Sequence, residues 1–266
     1  MKKIHALKQG IAELLLAFSM HHHWIYLATQ DIRLRYRRSV LGPIWLTIST
    51  AITIASLTFL WSTILVVNLS DYVPYFATGL IFWIWVSTQI LESSIGYSQF
   101  EATVRQIKLP FPIYILRICM KNFIILAHNF IVILIILYFI FPTKISTATL
   151  LFIPALFITQ VTVFSTCIIT SIICTRYRDV TQIIASAVQL GFFFTPILWK
   201  VDSLGSHLWV ANYNPLFHYM SIIRLPLMGN YPTPENWFCS GLYLFISLMV
   251  AAYLLGRSSK KIALWL

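Results

Sequence analysis

Acid is what this sequence has least of. Eight Asp and Glu residues stand against nineteen Lys and Arg in 266 positions, and charged residues make up only 10% of the chain. Soluble domains carry roughly 25% charged residues, so the composition excludes an ordinary water-soluble protein. The eight acids are scattered among loops and the ends of apolar runs, which leaves no carboxylate pair placed for general acid–base work. Glycine is scarce too: the nine glycines are dispersed, and none begins a G-x-x-x-x-G-K-[ST] loop whose amides would cradle phosphates. The four cysteines (Cys119, Cys167, Cys174, Cys239) have neither metal-ligand nor redox spacing and read as buried apolar residues. No cleavable signal is expected, because the start "MKKIHALKQGIAELLLAF" has a short, acid-interrupted apolar stretch and no small-residue cleavage site. Tandem repeats and low-complexity linkers are absent, so residues 1–266 read as one domain.

What is abundant is apolar length. Hydrophobic residues make up 59% of the chain, and a helix needs about 20 of them to cross roughly 30 Å of hydrocarbon. Six runs qualify: Ile44–Val67, Tyr75–Ser94, Phe123–Phe141, Ala148–Cys174, Val180–Trp199 and Trp237–Gly256. They are too long and continuous for barrel strands, so the expected class is an all-α integral membrane protein with six spans. Threading the chain through them puts sixteen of the nineteen basic residues on one side, leaving only Lys144, Lys200 and Arg224 on the other. That asymmetry predicts both termini in the cytoplasm and explains the basic balance without nucleic acid.

Two regions do not span. Residues 11–38 read as an amphipathic interfacial helix: Ile11, Leu15, Phe18, Ile25, Ala28 and Ile32 on one face, with His22 interrupting. His23, Tyr26, Gln30, Arg33 and Arg37 lie about 100° further round. Arginine fills four of the six positions 33–38 (Arg33, Arg35, Arg37, Arg38), around Tyr36 and just before Gly42-Pro43, where the chain is expected to break into the first span. Residues 200–236 form a long external segment whose "NPLFHYMSIIRLPLMG" predicts a short re-entrant or interfacial helix after Asn214-Pro215, ended by Pro226 and Gly229.

Candidate chemistry is sparse. Asp179 in "RYRD" predicts a local ion pair with Arg176 or Arg178, and Glu92 reads either as a costly acid at depth in the second run or as a solvated acid at its end. Adjacent histidines on a helix point about 100° apart, so His21, His22 and His23 read as an interfacial polar face and no metal site is expected. His128 reads as a hydrogen-bond partner between helices. Gln182, Ser186, Gln189, Phe193 and Pro196 share one stripe of the fifth run; Thr159, Thr162, Thr166 and Thr170 lie in the fourth, and Thr47, Thr50 and Thr53 in the first. Such groups serve either helix packing or the lining of a pathway. Trp83, Trp85 and Phe192–Phe194 serve either the membrane interface or flat surfaces suited to sugar rings. Ion-coupled carriers place ionisable groups at mid-membrane; with little sign of these, a separate ATPase is the stronger expectation for any uphill transport.

Five blocks in order carry a resemblance: "DIRLRYRRSVLGPIWLTIS" (Asp31–Ser49), "IKLPFPIYILR" (Ile107–Arg117), "RYRDV" (Arg176–Val180), "FFFTPILW" (Phe192–Trp199) and "NYNPLFHYMSIIRLPL" (Asn212–Leu227). Together they resemble type-2 ABC exporter permeases of the polysaccharide class, those for O-antigen and teichoic acid. The resemblance implies a homodimeric channel in the bacterial inner membrane, driven by two copies of a cytosolic ATPase that carries the ATP and magnesium, with no cofactor on this chain. Its cargo would be a polysaccharide on a polyprenyl diphosphate; teichoic acid, capsule or a small lipid or drug are alternative cargoes, and a membrane enzyme acting on lipid-linked sugars a more distant one. Residues 11–38 and 100–117, the latter with Arg105, Lys108, Pro110, Phe111 and Pro112, would contact the ATPase. Residues 200–236, with Asn214, Pro215, Phe217 and Tyr219, would gate the external side, and Trp83, Trp85, Gln182, Ser186, Gln189 and Phe193 are pathway candidates. The arginines at 33–38 would hold a lipid diphosphate, pair with acids of the ATPase, or only orient the chain.

Overall fold

A computed structural model describes residues 2–42, 44–65, 68–142 and 146–266. Pro43, Lys144 and the last two residues of the expected first span lie outside the described residues. Every regular element among the described residues is helical: α1 (Lys2–Ser19), α2 (His21–Arg35), α3 (Ile44–Leu65), α4 (Leu69–Ser94), the short α5 (Gly96–Gln99) and α6 (Glu101–Gln106), α7 (Pro112–Ile135), α8 (Phe152–Arg176), α9 (Val180–Phe194), the short α10 (Trp209–Asn212), α11 (Pro215–Leu227) and α12 (Pro234–Trp265). The long helices start where local chemistry supplies a cap. Asn68 accepts the Ser70 N–H, Asn214 that of Leu216, and Thr233 that of Asn236, while Pro112, Pro215 and Pro234 occupy first-turn positions that need no donor.

Five helices are long and apolar enough to cross a membrane: Ile44–Ile64, Leu69–Ser94, Pro112–Ile140, Thr147–Arg176 and Pro234–Trp265. The expected fifth run differs. Its helix has 15 residues and stops at Phe194, about 22 Å at 1.5 Å per residue, because Pro196 follows and the chain continues extended from Thr195. The third crossing begins at Pro112, eleven residues before the apolar run alone suggested, because Arg117 and Lys121 inside it find acid partners in Asp31 and Glu92.

Cross-contacts order the bundle. Ser93 and Thr170 hydroxyls meet at 3.2 Å, and Ser165 and Ser247 hydroxyls at 2.7 Å. The Arg176 guanidinium lies 5.4 Å from the Trp265 ring. Helices α4, α8 and α12 are therefore parallel, with Ser94, Arg176 and Trp265 at one end, called here the basic end. The chain leaves α8 there and re-enters α12 at the other. α9 and the stretch after it make that journey: Pro196 and Leu198 carbonyls reach Tyr75 and Tyr72 in the first turns of α4. One core, around Phe76, Phe82, Trp85, Ile133 and Ile222, fills the half away from the basic end; a second, around Ala17, Tyr97, Ile115, Ile168 and Leu255, fills the basic half.

The segment 11–38 is not one helix. It lies in α1 and α2, which break at Met20 (φ −85°, ψ 37°). The expected apolar face is only partly used: Ala28 and Ile32 are buried, whereas Ile11, Leu15 and Phe18 stay exposed. α1 packs through its small residues instead. A Cβ on Gly10 would lie 1.8 Å from the Ala252 carbonyl oxygen, and one on Gly256 1.8 Å from that of Ala6. Backbones approach that closely only across small side chains, so α1 and the end of α12 form an antiparallel pair.

Candidate functional site

At the basic end, α2 finishes in Arg33 and Arg35, and Tyr36, half-buried, donates its N–H to the Ile32 carbonyl as the helix ends. Arg33, Arg35, Arg37 and Arg38 are all exposed, and none has an acid partner among the described residues. The helix that carries Arg33 and Arg35 and leads into Arg37 and Arg38 is nevertheless held firmly. Asp31 takes a two-pronged bond from Arg117 (Nε–Oδ2 2.7 Å, Nη2–Oδ1 2.5 Å), and that guanidinium stacks 4.3 Å over the Phe100 ring. The cluster is a fixed patch of positive charge with free donors, suited to phosphate or carboxylate oxygens.

Beside it, the stretch 105–112 is anchored from within. The Phe111 N–H donates to Glu13 Oε1 at 3.2 Å, and the Phe111 ring meets Tyr97 edge-on at 5.6 Å. Pro112 is buried and Pro110 half-buried, while Arg105 and Lys108 project outward, Arg105 paired with the half-buried Glu101 at 2.8 Å. Burial raises the Glu13 carboxyl above its ordinary value, opposed by the Phe111 N–H. A push on this stretch therefore reaches α1 through Glu13, and α12 through the Gly10 contact.

Along the bundle, Gln182, Ser186, Gln189 and Phe193 occupy the exposed side of α9. The amides of Gln182 and Gln189 have no side-chain partner among the described residues, and α9 buries none of its residues. Trp83 and Trp85 are placed differently: both are buried, Trp83 against Phe192 and Gly191, Trp85 against Phe82 and Phe123. Trp83 also lines a largely apolar cavity of about 360 Å³ between α4, α8, α11 and α12, with Thr159, Thr162, Thr166 and Tyr219 on its wall.

At the far end, Asn214 donates to the Phe194 carbonyl (3.1 Å) and to Thr195 Oγ1 (3.2 Å), tying the start of α11 to the end of α9. Pro215 follows at the first helical position, and Phe217, half-buried, lies 5.4 Å from the His218 ring. Tyr219 donates to the Ser240 carbonyl (2.8 Å) and meets the Thr162 hydroxyl (2.9 Å). Asn214, Pro215, Phe217 and Tyr219 thus share one short helix joined to α8, α9 and α12.

Residues 22–228, well over half the chain, match the model of the ABC-2 type transporter family. The chain belongs to that family. Relatives of this ABC-2 chain include two proteins of Klebsiella pneumoniae named O-antigen export system permease protein RfbA, 24% and 25% identical over 197 residues, covering 72% of this chain and 74% of theirs. A Myxococcus xanthus protein of the same name is 23% identical over 183 residues, covering 68% of this chain and 69% of its own.

Several polar residues of the ABC-2 chain sit otherwise than their local sequence suggests. Asp179 makes no ion pair with Arg176 or Arg178; its carbonyl accepts the Gln182 N–H, and Arg176 lies against aromatic rings. Glu92 is not merely solvated: it accepts from Lys121 Nζ (2.8 Å) and Asn122 Nδ2 (2.6 Å), clamping α4 to α7. His128 Nδ1 lies 2.8 Å from the Ile124 carbonyl of its own helix, not of a neighbour. Sequence reasoning missed Arg224, Tyr72, Tyr75 and Gly79 as a group. An arginine inside "MSIIRLPL" was the visible signal; its partners lie 28 or more residues away along the chain.

Proposed function

We propose that this chain is the channel-forming subunit of an ATP-driven exporter that moves polyprenyl-diphosphate-linked, O-antigen-type polysaccharide across the bacterial inner membrane. The observation that carries the reading is α9. It is apolar, yet Gln182, Ser186 and Gln189 lie exposed on it without a side-chain partner among the described residues. Unpaired amides facing hydrocarbon cost several kcal/mol each; facing a hydrated path or a second copy, they cost little. Two copies joined around α9 place these amides and Phe193 along a shared conduit, where amides bond sugar hydroxyls and the ring meets sugar C–H faces.

In this reading α9 and its extended continuation form the fifth of six crossings, the arginine-rich end is cytoplasmic with both termini, and residues 200–236 form the external gate with α11 re-entrant. The exposed arginines of 33–38 receive the lipid diphosphate or acids of the ATPase. Arg105 and Lys108 meet the ATPase, which binds ATP and magnesium, and its closure is passed inward through Pro110–Pro112 and Glu13. The names of the relatives support this cargo.

The test is capture: the tagged chain, expressed with an ABC ATPase of the same organism, is purified in mild detergent. A stable complex with two copies of each chain, and ATP hydrolysis stimulated by lipid-linked glycan, is expected. A chain that purifies alone and leaves the ATPase unaffected contradicts the reading.

A further inference from the structure

Between α9 and the first external helical turn, residues Thr195–Trp199 run without regular secondary structure. Their carbonyls must find donors elsewhere, and side chains from two other helices supply them. Tyr75 Oη shares its one proton between the Pro196 and Trp199 carbonyls, 3.0 and 3.1 Å away, and Tyr72 Oη donates to the Leu198 carbonyl at 2.8 Å. Arg224 Nη1, from α11, donates to the Pro196 carbonyl at 2.9 Å.

Arg224 is the odd member. It is 5% exposed, and among the described residues it has no acid partner and its Nε and Nη2 have no hydrogen-bond partner. The guanidinium lies 3.8 Å from the Tyr75 ring centroid. Room for it exists only because residue 79 is glycine: a Cβ there would sit 2.1 Å from Nη2. A buried arginine with Nε and Nη2 unbonded forgoes much of its hydration, while the Pro196 carbonyl and the Tyr75 side chain oppose its escape. These opposed terms leave the closed arrangement around Pro196 held by few bonds.

We propose that Tyr75 and Arg224 form a latch that holds the strap Thr195–Trp199 against α4, and that its release opens the end of the bundle opposite the arginine cluster. The proposal rests on the transport reading for its purpose, though not for its geometry. Release frees the strap and with it the join between α9 and α11 at Asn214. Helix α9 bears the exposed polar stripe, so freeing its end widens the conduit where cargo leaves.

The test uses Ile197, fully buried within the strap and in contact range of Gly79. Ile197→Cys, in a Cys239→Ser background, is made in the full-length chain, purified into nanodiscs with both faces accessible, and labelled with a hydrophilic maleimide. Labelling is slow in the parent and at least tenfold faster with Tyr75→Phe or Arg224→Gln. Arg224→Lys, which keeps the charge over the ring but loses the fork, gives an intermediate rate. Gly79→Ala, which changes no latch residue but crowds the Arg224 guanidinium, also accelerates labelling. Rates within twofold of the parent in all four variants, at normal protein yield, overturn the latch; so does failure of all four to accumulate, since the cluster is then only part of the folding core. The same variants are scored for surface polysaccharide in cells. Faster labelling together with export that does not depend on the chain at all leaves the latch standing and removes the transport reading.

Discussion

Asp31 and Arg117 meet as a two-pronged ion pair, with Nε 2.7 Å from Oδ2 and Nη2 2.5 Å from Oδ1, 86 residues apart along the chain. The pair fixes α2 on α7, so the four arginines that follow are presented rather than left on a loose tether. Both side chains are about four-fifths buried, beyond the regime where salt screening makes ion pairs nearly worthless. Asp31→Ala is expected to destabilise the chain by roughly 1–3 kcal/mol, read as a lower thermal midpoint in detergent. In a double-mutant cycle with Arg117→Ala, the second change is expected to cost less than it does alone.

The arginine cluster behaves in the opposite way. Arg33, Arg35, Arg37 and Arg38 have no acid partner among the described residues, so glutamine at all four leaves the thermal midpoint nearly unchanged, each substitution shifting stability by no more than about 0.5 kcal/mol. Export falls at least tenfold. A chain that inserts with inverted topology, read by labelling at its termini, assigns the arginines to orientation instead.

The contact between α1 and α12 gives a pair of glycine changes of opposite outcome. Gly10→Ala drives a Cβ to 1.8 Å from the Ala252 carbonyl, and helix backbones cannot yield cheaply; a loss of about 3 kcal/mol or more is expected. Gly241→Ala, in the same α12, meets nothing within 4 Å and is neutral or stabilising by up to about 1 kcal/mol. Thermal unfolding of both variants in the same detergent checks the contrast.

Glu13 supplies a pH dependence. Its ordinary value is 4.5, and burial raises it in the folded chain. Folding therefore favours the protonated form: this group's contribution is fully present below about pH 4.5 and is lost as pH rises through the folded value. Glu13→Gln keeps an oxygen for the Phe111 N–H and cannot ionise. Its thermal midpoint relative to wild type is expected to rise with pH above 4.5 and to converge with wild type below it; a difference independent of pH contradicts the assignment.

Much of this was legible in the sequence because apolar length is a strong signal. The second, fourth and sixth runs fall within α4, α8 and α12 or extend them by a few residues. The start of α7 was hidden because Arg117 and Lys121 break the apolar run, and only tertiary contacts reveal their acids. The inner face of α1 was hidden for the opposite reason: Gly10 and Ala17 pack through smallness, which no hydrophobic pattern records. The fifth run read as a full helix because Pro196 was counted as one apolar residue rather than as a stop. Trp83 and Trp85 could not be sorted by sequence between core and surface, since a tryptophan suits either; the structure puts both in the core.

Export itself provides the most direct test of the account. The gene is deleted in its source bacterium, then restored as wild type or as the four-glutamine arginine variant, and polysaccharide is measured separately at the cell surface and on lipid inside the cell. The account predicts that deletion empties the surface while lipid-linked glycan accumulates inside, that wild type restores the surface, and that the arginine variant does not. Unchanged surface polysaccharide in the deletion strain, with no internal accumulation, would contradict it.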